Sequence, residues 1–132
     1  MNKLTKRKIN GIVIKGSGEG TKIGIPTANI STTQSLGDLE QGVYATKVFI
    51  DGKVYGGVAH YGPRAVFNEY NPQLEVHIFK FKDNIYEKVL EIELLEFIRP
   101  TLKFNTIDEM LITIKKDIQA SKEILAKNKI LS

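Results

Sequence analysis

Two β-rich runs, Gly42–Ile50 and Lys53–His60, are separated by Asp51-Gly52 alone. An Asp-Gly pair accepts the left-handed backbone of a two-residue type I′ turn, whose twist matches that of paired strands, so the two runs are predicted to form an antiparallel hairpin. A chain committed to a hairpin near its centre builds outward as an antiparallel sheet. The flanking runs agree. Residues 8–15 are β-branched and short, and Leu74–Phe81 follows a loop at 61–73 punctuated by Gly62-Pro63 and Asn71-Pro72. A turn at Asp83-Asn84 then leads into a long strand from Tyr86 to Ile98. Its Glu91-Ile-Glu-Leu94 portion alternates, and the Leu94-Leu95 doublet breaks the alternation, which predicts a bulge or bend. Gly56-Gly57, inside the second hairpin strand, predicts a bulge or the close approach of another backbone.

After Arg99-Pro100 the period changes. Thr106-Ile-Asp-Glu109 is a capping box, and Met110, Leu111, Ile114, Ile118, Ser121 and Leu125 fall near one stripe, with Lys115, Lys116, Lys122 and Glu123 on the other side. Five or six short antiparallel strands followed by one amphipathic helix predict a mainly β domain. A small closed or nearly closed barrel with the helix packed on it fits better than a two-sheet sandwich.

A chain of 132 residues is one domain. Residues 9–128 are assigned to it and residues 1–8 to a basic flexible leader, because Lys3, Lys6, Arg7 and Lys8 precede any acid. The other 15 basic residues balance 15 acidic ones, and a neutral body argues against a nucleic-acid-binding face. The leader has no apolar stretch and no run in the chain approaches spanning length, so the expectation is a cytoplasmic protein with no membrane partner. The absence of cysteine excludes disulfides, thiolate metal sites and cysteine nucleophiles.

Two stretches carry chemistry. In Gly16-Ser-Gly-Glu-Gly-Thr-Lys-Ile-Gly-Ile-Pro-Thr-Ala-Asn29, Gly16, Gly18, Gly20 and Gly24 allow backbone N–H groups to turn toward an anion, and Lys22 adds a cation. Pro26 then fixes φ ahead of Thr27 and Asn29, whose hydroxyl and amide oxygens are hard donors of the kind a magnesium ion shared with phosphates accepts. Neither a Walker loop nor the dinucleotide fingerprint fits, and the alternative is a surface loop ending in a turn. In Leu74–Phe81 the period of two places Glu75, His77, Phe79 and Phe81 on one face. A carboxylate partly buried beside aromatic rings has its pKa raised, which suits a general base held on a strand. The alternative is a strand-end Glu in water, and His77 reads as a structural, hydrogen-bonded histidine.

These elements together resemble the ATP-dependent riboflavin kinase family. The matching residues are Gly24-Ile-Pro-Thr-Ala-Asn29, Gly42-Val-Tyr44, Gly57-Val-Ala59, Glu75-Val-His77, Ile98-Arg-Pro100, and Phe104 ahead of Thr106, and the resemblance runs from about Gly11 to Ile124. It implies a six-stranded antiparallel Greek-key barrel with one C-terminal amphipathic helix. It also implies transfer of the γ-phosphate of ATP to the ribityl 5′-hydroxyl of riboflavin, giving FMN in a Mg2+-dependent reaction. By position, Gly16, Gly18, Gly20, Lys22, Gly24, Pro26, Thr27 and Asn29 would bind the nucleotide, and Thr27 and Asn29 the metal. Glu75 would be the catalytic base, and Arg99 and Phe104 would belong to a mobile flap beside the flavin. Glu19 and Thr21 stand where members usually carry basic residues. Ala59-His60 replaces an Ala-Asn pair, and Ala65-Val66 a Pro-Thr pair. Many bacterial members are fused to an FMN adenylyltransferase domain, so the chain is either a stand-alone kinase or an excised module whose partner is that domain. A catalytically weak or inactive flavin- or nucleotide-binding module of the same fold is the alternative function.

Overall fold

The structure, a computed structural model, describes residues 4–14, 24–64, 69–81 and 85–128. Six strands, β1 (Leu4–Ile14), β2 (Ala28–Ser31), β3 (Gly42–Ile50), β4 (Lys53–Arg64), β5 (Glu69–Ile78) and β6 (Val89–Pro100), precede one helix, α1 (Ile107–Lys127). They close into an antiparallel barrel in the order β1-β2-β5-β4-β3-β6, with β6 returning to β1. The run β2-β5-β4-β3 is a Greek key: β3, β4 and β5 follow one another, and β2 lies beside β5. Inward side chains from successive strands fill the barrel, among them Ile9, Val13, Tyr44, Ala59, Val76 and Ile92. Their neighbours in sequence face outward, as Ile12, Ile14 and Glu75 do.

The central hairpin forms in full register from Ile50↔Lys53 to Gly42↔Tyr61, with Asp51 (φ 51°) and Gly52 (φ 79°) both left-handed as a type I′ turn requires. The Leu94-Leu95 doublet is a bulge. Ala45 pairs with Glu96 and Thr46 with Leu94, so Leu95 is the extra residue and both leucines are buried. Of the two outcomes predicted for Gly56-Gly57, the close approach is the one realised. Both residues pair in register, and a Cβ on Gly57 would lie 2.6 Å from the carbonyl oxygen of His77 on β5.

Four expectations are corrected. Residues 4–8, expected to belong to a flexible leader, are the first part of β1. Lys8 lies opposite Glu93 of β6 in the ladder, and Arg7 donates to Asp38 (2.9 Å) and to the carbonyl of Ser35 (2.8 Å). Segment 61–73, expected as a loop, is strand through Arg64 and again from Glu69. The register shift between Gly62 and Arg64 accommodates Pro63. Pro72 lies beyond the reach of β2, which pairs only with residues 74–76, and so leaves no ladder bond broken on that side. The strand expected over Tyr86–Ile98 begins at Val89 instead, because Glu87 (φ 70°) sits in a turn closed by Lys88 N–H donating to the carbonyl of Ile85. Phe81 does not share a face with Glu75. The strand ends at Ile78, Lys80 turns left-handed (φ 58°), and Phe81 swings in against Tyr55 and the core.

The helix starts as its sequence dictates. Thr106 caps it by accepting from Glu109 N–H (3.1 Å), while the Glu109 carboxylate accepts from Asn105 N–H (3.1 Å), one residue earlier than a strict capping box. It packs across β3 and β4, burying Met110, Asp117, Ser121 and Leu125. The Ser121 hydroxyl donates to the carbonyl of Gly57 (2.7 Å), which ties the helix directly to the strand that lies against β5.

Candidate active site

Strand register assembles the site. Asn29 on β2 pairs with Glu75 on β5, Glu75 with His60 on β4, His60 with Val43 on β3, and Val43 with Arg99 on β6. Directly paired residues project from the same face of a sheet, so these five side chains form one row across the outer wall of the barrel. A cleft opens along this row under the C-terminal segment. Thr27, Val43, His60 and Glu75 line it from the barrel, and Arg99, Leu102, Lys103, Phe104, Met110 and Ile114 from the segment after β6 and the helix.

Glu75 is the most buried ionisable side chain on the row, at 2% exposure, and its Oε2 lies 3.3 Å from the Thr27 hydroxyl. Thr27 precedes β2 directly, and Pro26 before it is held in place because the Pro26 carbonyl accepts a hydrogen bond from His77 Nδ1 (2.8 Å). A carbonyl can only accept, so this contact puts the proton on Nδ1 and makes His77 the structural histidine expected from the sequence. His77 in turn meets the Phe79 ring edge-on, with centroids 5.8 Å apart. Two residues of β5 therefore govern the Pro26–Asn29 stretch: one fixes its backbone, the other bonds its hydroxyl.

At the far end of the row, Arg99 is not an open hydrogen-bond donor. Its Nε and Nη2 donate to the two oxygens of Asp117 (2.9 and 2.7 Å), its Nη1 donates to the carbonyl of Pro100 (3.0 Å), and its guanidinium lies 5.8 Å from the Phe104 ring centre. Burial pushes the Asp117 carboxyl above the ordinary carboxylate value, against the opposing pull of the Arg99 hydrogen bonds and charge.

Among the residues expected from the sequence, the fold brings Thr27, Glu75, Arg99 and Phe104 to one cleft and sets Asn29 beside Glu75. Gly24 is exposed and left-handed (φ 86°), the backbone that favours glycine, and Pro26 is exposed beside it. Gly16, Gly18, Gly20 and Lys22 lie outside the described residues, as do Ala65-Val66. Sequence reasoning missed Asp117 and Lys103. Asp117 had a signal: it sits at helical spacing within the stripe Met110, Ile114, Ser121, Leu125, where an acid must be buried and must find a cation.

Two oxygen donors of the type magnesium prefers, the Thr27 hydroxyl and the Asn29 amide, stand next to the Glu75 carboxylate, and among the described residues no group of three or more His, Cys, Asp or Glu gathers elsewhere. A donor set this small fits a metal that keeps waters and shares phosphate oxygens, and does not fit an all-protein cage.

The fold and the row together define a class: a small closed barrel with a cleft on its outer wall that runs past a buried carboxylate. The riboflavin kinase (flavokinase) family model matches residues 4–125. The chain is 42% identical over 118 residues to the trifunctional protein RibF/MnmA of Mycoplasmoides gallisepticum, covering 89% of this chain and 18% of that protein. It is 40% identical over 116 residues to the bifunctional riboflavin kinase/FMN adenylyltransferase of Haemophilus influenzae, covering 87% of this chain and 37% of that protein. The chain thus spans well under half the length of either relative. The crystal structure of riboflavin kinase from Trypanosoma brucei has the same fold, with a TM-score of 0.67 at 23% identity over 97% of this chain and 84% of that one. The chain belongs to the riboflavin kinase family, whose reaction converts riboflavin to FMN.

Proposed function

We propose that this chain transfers the γ-phosphate of ATP to the ribityl 5′-hydroxyl of riboflavin, with Mg2+, and that the row from Asn29 to Arg99 is where it does so. The observation that carries the reading is the Thr27–Glu75 contact, a buried carboxylate held within 3.3 Å of a hydroxyl in the lining of a largely apolar cleft. Glu75 accepts the 5′-hydroxyl proton as that oxygen attacks the γ-phosphorus and the bridging oxygen leaves with ADP. The β5 strand holds the carboxylate in place, and its burial keeps bulk water from competing for the proton.

Thr27 and Asn29 hold the nucleotide end, and a magnesium ion bound there would neutralise the charge of the phosphate oxygens. Gly24 and Pro26 set the course of the chain into that end, and Gly16, Gly18, Gly20 and Lys22 complete the nucleotide loop in this reading. The isoalloxazine ring enters between Val43 and Val58 on the barrel and Leu102, Phe104, Met110 and Ile114 opposite, where apolar surface favours a flat ring. Arg99 and Phe104 build that side of the flavin site. Positioning of this kind supplies most of the acceleration of phosphoryl transfer, and a base adds a factor of roughly 10²–10⁴. The reading places the enzyme in the cytoplasm, with an FMN adenylyltransferase domain as a natural companion.

The test is FMN formation by the purified chain from riboflavin and ATP, with Mg2+ and with the metal chelated. Metal-dependent FMN is the expected result. Riboflavin and ATP binding without any FMN would contradict the reading and leave a binding module.

A further inference from the structure

The end of β6 and the middle of α1 meet in one ion pair that is nearly sealed from water, with the Arg99 and Asp117 side chains 16% and 6% exposed. A single guanidinium makes contacts in three directions. Its fork clamps Asp117 at two points, its remaining nitrogen holds the Pro100 carbonyl, and its face lies 5.8 Å from Phe104. Two-point contact fixes the orientation of the plane, which a single-point charge would leave free to pivot. The helix is thereby joined to both ends of the segment from Pro100 to Phe104. That segment supplies Leu102, Lys103 and Phe104 to the cleft. A buried ion pair gives little net stability compared with apolar side chains of the same volume, so stability is a weak reason for one in this wall.

We propose that Asp117, which itself borders the cleft, is a positioning residue for the flavin: through Arg99 it fixes the 100–104 segment as one wall of the cleft and so sets riboflavin affinity. The inference rests on the reading of the cleft as the flavin site. The nucleotide end is built by β2 and β5, and Asn29 and Arg99 stand at opposite ends of the row, four strand spacings apart. Loosening the latch therefore acts on one substrate and spares the other.

Three variants test this with steady-state kinetics and thermal melts. Asp117→Asn keeps the shape and removes the charge. Arg99→Lys keeps the charge pair and loses the fork. The paired change Arg99→Met with Asp117→Leu replaces the ion pair by apolar volume and should melt near the parent temperature. Riboflavin KM is expected to rise roughly tenfold in all three, the scale of a sub-ångström misplacement, while ATP KM stays within about a factor of two. A paired variant that is stable and keeps the parental riboflavin KM would overturn the proposal, as would ATP KM rising in step with riboflavin KM. If the parent chain makes no FMN, the kinase reading fails first. Riboflavin fluorescence quenching in the same proteins then decides the latch on its own, with weaker binding in the variants supporting it and equal binding, or none in the parent, overturning it.

Discussion

Gly57 lies where the fold and the chemistry share a backbone. It pairs with Ile78 on β5, its carbonyl accepts from Ser121 of the helix, and a Cβ built on it would stand 2.6 Å from the carbonyl oxygen of His77. Ordinary van der Waals contact begins near 3.4 Å, so Gly57→Ala requires β4 and β5 to separate locally by about 0.8 Å. The obstacle is backbone on a paired strand and cannot rotate away. Overpacking of this kind costs about 1–3 kcal/mol, and the usual advantage of Ala over Gly in a strand returns about 0.5–1 kcal/mol. The net loss is about 0.5–2 kcal/mol, or a fall in Tm of roughly 2–10 °C for a domain of this size. The displaced stretch of β5 holds His77, which anchors Pro26, and lies two residues from Glu75. A misplacement approaching 1 Å costs on the order of 10²-fold in rate, so a fraction of that should lower kcat roughly tenfold at temperatures where the variant is fully folded. Circular dichroism melts and FMN formation measured on the same sample separate the two effects. A Gly57→Ala protein that melts with the parent and turns over at its rate would refute the strand approach from which both numbers come.

Thr27→Ala removes the hydroxyl beside Glu75 and one candidate metal donor. It should raise the KM for Mg-ATP roughly tenfold, one lost charge-assisted contact of about 1.5 kcal/mol, with riboflavin KM little changed; an unaltered magnesium dependence would count against the ligand role. Asp117 supplies a test of sign. Burial holds its folded-state value above the unfolded one, so its contribution to stability is fully present below the unfolded value and is lost as pH rises through the folded one. The unfolding free energy of the parent relative to Asp117→Asn, read from urea titrations, should therefore be larger below about pH 4 than at neutrality. The opposite trend would mean that Arg99 outweighs burial.

What the sequence made legible followed from local rules. Asp51-Gly52 could only turn one way, the Leu94-Leu95 doublet could not alternate, and Thr106 with Glu109 could only open a helix. Glu75 and Thr27 were legible as chemistry through their resemblance to a known pattern, but their contact came from the register of β2 on β5, which no local rule contains. The β2 strand itself was missed because it is four residues long and starts two residues after a proline. The first residues of β1 were missed for a different reason. Their positive charge reads as a solvated arm until Glu93 of β6 and Asp38 are placed beside it. Likewise Pro63 and Pro72 read as loop breakers, and only the bulge and the short neighbouring strand show why β4 and β5 can carry them. Asp117 broke the apolar stripe in plain view, yet its meaning depended on Arg99 arriving from another element.

Glu75 is proposed to take the proton from the riboflavin hydroxyl. The direct measurement is kcat for FMN formation by Glu75→Gln, beside the affinity of the same protein for Mg-ATP. Glutamine keeps the shape and can still accept the Thr27 hydrogen bond, so the site should stay assembled while losing its base. The expected result is a kcat lower by roughly 10²–10⁴ with Mg-ATP affinity nearly unchanged. A glutamine variant that turns over at the parental rate would contradict it and remove Glu75 from the mechanism.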